Sequence, residues 1–205
     1  MPDGRSDLMH RADGSAFRTD QCRSLMAAWL DWRGQNRLPA RGDMDLSRIT
    51  PLLPYVILLE VRSPDEHIIR LAGTAIGRAL GDNLTGRNYL DMADADIRPL
   101  RAARAQAIIS QPCGGLMHNR HDLGDGRMLE LELLVLPIRP DDDALPMQLI
   151  SVAVPMGVDA PSPDEVQLNI RRVADRFRFL DLGAGLPVEP LTAGRQGALA
   201  EPTMP

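Results

Sequence analysis

The run Met128-Leu129-Glu130-Leu131-Glu132-Leu133-Leu134-Val135-Leu136-Pro137-Ile138 carries the reading of the fold. Successive side chains of a strand point to opposite faces. Glu130 and Glu132 therefore share one face, and Leu129, Leu131, Leu133 and Val135 share the other. A sheet with one wet face and one helix-covered face fits this alternation. Working outward, residues 116–121 read as a strand joined to it by a Gly124-Asp125-Gly126 turn. Residues 147–154 read as another, reached through the acidic run 141–143.

Further upstream, residues 55–61 form a nearly continuous apolar run suited to a central strand. Ser63-Pro64-Asp65-Glu66 is turn-like, and residues 67–71 return as the second arm of a hairpin. Thr74 can cap a short helix over 75–80 that Gly81 ends. A longer helix is expected over 97–110, with Pro99 in its first turn and the stripe Ile97, Leu100, Ala103, Ala107, Ile108 inward. The order strand–strand–helices–strand–strand–strand predicts an α+β domain: an antiparallel sheet with helices on one face.

Two helices flank this domain in the reading. Residues 19–33 place Cys22, Leu25, Met26, Trp29 and Leu30 on one stripe, with Thr19 as N-cap and Gly34 as stop. The stripe either packs on its own domain or makes a homodimer through Leu25, Met26 and Trp29, since so wide an apolar face needs a cover. A third helix is expected over 163–180, basic through Arg171, Arg172, Arg176 and Arg178. The division is a mobile tail at 1–18, an N-terminal helix at 19–36, the main domain at 37–157, a C-terminal helical extension at 158–182 and a mobile tail at 183–205.

Composition narrows the function classes. All 23 basic residues are arginine, so chemistry that needs lysine, such as Schiff bases, P-loops and kinase ATP sites, is excluded. A net charge of −5 and 3% aromatics argue against a nucleic-acid partner. No apolar run approaches the ~20 residues of a membrane span. Residues 1–19 lack the apolar centre of a signal peptide, so the expected location is cytoplasmic. Cys22 and Cys113 are too few for a disulfide framework.

Several stretches resemble a PAS domain. Arg70-Leu71-Ala72-Gly73-Thr74 is similar to the end of the second PAS strand entering its short helices. Leu84-Thr85-Gly86-Arg87-Asn88-Tyr89-Leu90-Asp91-Met92 resembles the segment before the long PAS helix, and Pro112-Cys113-Gly114-Gly115 the step into the third strand. Trp32-Arg33-Gly34, Leu38-Pro39-Ala40-Arg41 and Leu52-Leu53-Pro54-Tyr55-Val56 look like a bacterial subfamily of short, stand-alone PAS proteins. The likeness runs from about Trp29 to Val154. It implies a five-stranded antiparallel sheet, a ligand-sized space beneath the helices, and non-enzymatic sensing or regulation through a small ligand or an unidentified signalling protein. It implies no particular cofactor, and the ligand is left unknown. A small α+β enzyme using the same cavity is the alternative.

Individual motifs are weighed against that expectation. Light-sensing PAS relatives carry a reactive cysteine where this chain has Tyr89, so no flavin adduct forms there. His118 and His121 alternate on a strand and point to opposite faces, which excludes a shared metal or haem iron. Leu180-Asp181-Leu182-Gly183-Ala184-Gly185 imitates a methyltransferase motif, but only residues 186–205 follow, too few for that fold. Arg37-Leu38-Pro39-Ala40-Arg41 matches an R-x-x-x-R dinucleotide clamp without its second half. Within the expected apolar space, Arg70, Tyr89, His118 and Arg120 are the candidate polar groups that orient a ligand.

Overall fold

The computed structural model describes residues 17–81, 83–122, 128–156 and 174–188. The expected Gly124-Asp125-Gly126 turn, residues 157–173 of the C-terminal extension and the tail segments 1–16 and 189–205 lie outside the described residues.

The elements are α1 (Asp20–Arg33), β1 (Val56–Ser63), β2 (Glu66–Ala72), α2 (Thr74–Leu80), α3 (Arg98–Ser110), β3 (Gly114–Asp122), β4 (Met128–Ile138), β5 (Met147–Met156) and β6 (Ala174–Leu180). Short 3-10 segments at Leu46–Tyr55 and Tyr89–Met92 connect them. The strands form one sheet in the order β2-β1-β5-β4-β3-β6, with every neighbour antiparallel. The α+β architecture, the two hairpin groups and α2 and α3 on one face of the sheet agree with the sequence reading.

Both faces of the sheet are covered by the chain itself. On one, α2 and α3 bury Ile76, Ala105 and Ile108 against Ile57, Leu59, Leu149 and Ala153. On the other, α1 lays Cys22, Leu25, Met26 and Trp29 on Val56, Leu58, Leu134, Leu136, Ile150 and Val152. Trp29, with none of its surface exposed, also donates its ring N–H to the Pro137 carbonyl at 2.8 Å. The expected wet face of β4 is therefore dry from Glu132 onward: Glu132 is 0% exposed. The physical reason lies in the second half of that strand. Leu133-Leu134-Val135-Leu136 is apolar on both faces, which marks a strand buried from two sides.

The same observation removes the basis of the expected homodimer. Leu25, Met26 and Trp29 are at most 1% exposed within the single chain, so they present nothing to a partner. Phe17, expected in a tail, is 4% exposed and belongs to the same core.

Residues 174–180 correct a second expectation, because they form an edge strand and not the end of a helix. Arg176 and Arg178 alternate with Phe177 and Phe179, a period of two. The rings of Phe177 and Phe179 meet edge to face at 4.8 Å, and the Arg104 guanidinium lies 4.2 Å over Phe177. Of the expected stripe α3 buries Ile108, and beside it Arg104 and Ala105, the former over Phe177.

One glycine is required by close approach. Gly73, which donates its N–H to the Val56 carbonyl at 2.8 Å, leaves no room for a side chain. A Cβ there would lie 2.1 Å from the Leu53 carbonyl oxygen and 2.3 Å from that of Pro54. Gly77, one turn further into α2, has nothing within 4 Å of its Cβ direction. Gly73→Ala is therefore expected to cost roughly 2 kcal/mol and lower Tm by roughly 4–8 °C. Gly77→Ala is expected to raise stability by about 0.5–1 kcal/mol, both read by thermal denaturation. Equal Tm values for the two variants would refute this packing.

Candidate functional site

Of the buried polar residues among those described, Glu132 lies on one face of the sheet and His67 on the other. On the α1 face Glu132 projects from β4 toward the start of α1. Its Oε1 accepts from the Arg18 backbone N–H at 2.7 Å, and its Oε2 accepts from the Thr19 backbone N–H at 2.7 Å and the Thr19 hydroxyl at 2.6 Å. His118, its cross-strand partner on β3, brings Nε2 to 3.0 Å from Oε1. An ionised carboxylate only accepts, so the imidazole proton sits on Nε2. Thr19 caps α1 as expected, accepting from Cys22 N–H at 3.3 Å.

Burial by itself would push the Glu132 carboxyl up. The bonds from Arg18, Thr19 and His118 favour the charged form and outweigh it, so the group is held below the ordinary glutamate value. The positive end of α1 acts in the same direction. Cys22, one turn into the helix, feels the reverse. Burial first, then the charge and hydrogen bonding of Glu132, push its thiol up to about 12 against an opposing bond from Thr19.

On the opposite face His67 is a buried polar group in a largely apolar wall. It stands on β2 across from Val61, beside Ile69, and is 1% exposed. Its backbone N–H donates to the Asn88 side-chain oxygen at 2.9 Å, and Asn88 Nδ2 donates to the Asp65 carbonyl at 2.8 Å. The same Asn88 oxygen accepts from Leu90 N–H at 3.2 Å and so starts the Tyr89–Met92 turn. Gly86 reaches this position with φ +87°, a conformation that favours glycine, and its N–H donates to the Ile69 carbonyl at 2.7 Å. The Gly86-Arg87-Asn88 stretch thus covers the β2 edge and fixes the backbone at His67. The imidazole Nε2 is buried and has no hydrogen-bond partner among the described residues. Burial holds the His67 imidazole below its ordinary value, against the opposing charge of Asp65 and a bond to the Ser63 backbone.

The four residues expected to orient a ligand do not converge. Arg70 is exposed and sits 3.7 Å from Glu60 Oε2. Tyr89 lies on the α2–α3 face with the Arg101 guanidinium 5.2 Å from its ring centre. His118 belongs to the Glu132 cluster on the other face. Arg120 extends into solvent, 3.3 Å from Glu130. The sequence reading places Glu132 on a solvated face and gives His67 no ligand role. A signal existed for Glu132: a carboxylate in register with His118 on adjacent strands, followed by two-sided apolar residues. Nothing in the sequence around His67 marks its ring as buried.

Among the described residues, no three His, Cys, Asp or Glu side chains gather as a metal set, and no helix is long and apolar enough to cross a membrane. A profile of the PAS domain family matches residues 18–150, which run from the Glu132-bound start of α1 into β5. The chain belongs to the PAS domain family. Such domains are generally sensory, non-catalytic modules, so a sensory or regulatory role in general terms comes with the family. No curated protein matches the chain.

Burial gives both cysteines a directly measurable property. Cys113 is also pushed up to about 12, by burial and then by Asp181. Both thiols are free and buried, and both stay protonated at pH 8. A chromogenic disulfide reagent at pH 8 is expected to leave the folded protein unmodified for hours and to titrate both thiols at once in denaturant. Rapid modification of either in the native state would contradict the packing of α1 or of the β3 entry.

Proposed function

We propose that the protein senses a small molecule held on the face of the sheet that α2 and α3 cover, with His67 as its polar contact. The observation that carries this reading is the buried, unpartnered Nε2 of His67 within a wall of Ile57, Leu59, Val61 and Ile69. Leaving a buried polar atom unsatisfied costs about 1–3 kcal/mol, a cost that a ligand hydrogen bond removes. The matching ligand class is a molecule with an apolar body and one hydrogen-bonding group. Its signal passes to another signalling protein by contact, and a cytoplasmic location is part of the proposal.

The enzyme alternative requires a convergent acid–base pair free to reach substrate. His118 and Glu132 are such a pair by residue type. Both oxygens of Glu132, however, are engaged by the backbone and hydroxyl at the start of α1, which fits an anchor and leaves the alternative unsupported.

The test is a thermal-shift series with fatty acids, dicarboxylates, nucleotides and haem on the wild type and on His67→Leu. A ligand at a hundred times its Kd contributes about 2.7 kcal/mol, a rise of roughly 5–10 °C for a chain of this size. The wild type is expected to respond to at least one apolar compound, and His67→Leu to lose most of that rise. Without ligand, His67→Leu is expected to be at least as stable as wild type, since it removes an orphaned polar atom. No response to any compound, or the same rise in both proteins, would overturn the proposal.

A further inference from the structure

The two ends of α1 are held by different physics. Its second half is fixed by large buried side chains, Trp29 above all, and by the Trp29–Pro137 hydrogen bond, with Arg33 donating to the Leu182 carbonyl at 2.9 Å. Arg48 pairs with Asp31 on the outer surface of the same half. The first turn has much less apolar surface in place, chiefly Phe17 and Cys22. What ties it to the sheet is one side chain, since every hydrogen bond described between residues 18–19 and the strands ends on Glu132. We infer that Glu132 is a latch: the first turns of α1 open as a local unit, separately from the sheet, and this carboxylate sets how often they do. The inference stands on the α1 face alone and is independent of any ligand at His67.

Several features make the latch local. Glu132 supplies acceptors for two backbone N–H groups at the start of α1 that have no intrahelical partner, so its loss affects the helix start first. Leu134 and Leu136, its neighbours on the same face of β4, stay packed under Trp29 and Met26, which keeps the second half of α1 seated. On opening, water takes over the hydrogen bonds that Glu132 and His118 lose, a compensation that an apolar contact would lack. The result is a segment whose opening free energy lies below that of the whole fold.

The experiment is hydrogen exchange on the full chain, comparing amides of residues 22–26 with amides of β1 and β5. Glu132→Gln keeps the shape but replaces one charged acceptor with a donor. Loss of one hydrogen bond to a charged group corresponds to about a tenfold to hundredfold change in opening. Exchange at residues 22–26 is expected to accelerate by that factor, with β1 and β5 unchanged. Thr19→Val, which removes only the hydroxyl bonds, is expected to accelerate the same segment by a smaller factor, and it carries the test alone should Glu132→Gln not fold. No acceleration at residues 22–26 in the variants that fold would overturn the latch. Equal acceleration across β1 and β5 would overturn it too, because Glu132 would then support the whole domain.

Discussion

An ionised carboxylate with no exposed surface sits between the sheet and the first turn of α1, and the seating of that turn depends on it. Removing such a group from water costs several kcal/mol even after relaxation. Hydrogen bonds to charged groups contribute about 1.5–3 kcal/mol each, so the four from Arg18, Thr19 and His118 are of the size needed to offset that cost. They also pull the Glu132 carboxyl below its ordinary value. A depressed value means the anchor is complete above the ordinary carboxylate range and is lost as pH falls through the folded value. Beyond that start, Leu25, Met26 and Trp29 cover a sheet face that would otherwise expose Leu134, Leu136, Ile150 and Val152.

The two faces show the same kind of intrusion with opposite outcomes. Each takes a hydrogen-bonding side chain, Glu132 on one and His67 on the other, into an apolar interior. Glu132 has its hydrogen bonds made within the chain, so its role is structural. His67 keeps one ring nitrogen without a partner among the described residues, and burial favours its neutral form. A neutral imidazole can accept or donate according to its tautomer, which suits it to recognise an uncharged hydrogen-bonding group. The Gly86-Arg87-Asn88 stretch ties these local details to the family, because it positions His67 while covering the exposed edge of β2. Membership of the PAS family gives the general role; the proposed binding site on this face rests on the histidine.

Most of the sheet was readable because alternation, turn residues and helix punctuation agree along the chain. The strands from Val56 to Val154 and the helices α1 to α3 follow from those local signals. The errors arose where a short pattern had two readings. Glu130 and Glu132 look like one solvated row, yet Leu134 and Leu136 continue the Glu132 side and require a cover. Arg171, Arg172, Arg176 and Arg178 suggest a helical face, yet the intervening Phe177 and Phe179 give residues 174–180 the period of a strand. The site was less readable than the fold. Whether a histidine has a partner depends on residues distant in sequence, and Asn88, which fixes the His67 backbone, comes from a separate segment.

The central claim is that Glu132 is buried, charged and bound to the start of α1. Its most direct test is a carbon-13 NMR titration of the Glu132 side-chain carboxyl in the full-length folded protein, assigned by comparison with Glu132→Gln. Hydrogen bonding that outweighs burial predicts a carboxylate signal throughout the neutral range and a midpoint below the ordinary glutamate value of about 4.3. A midpoint above that value would mean that burial wins, and that α1 is not held by a charged group.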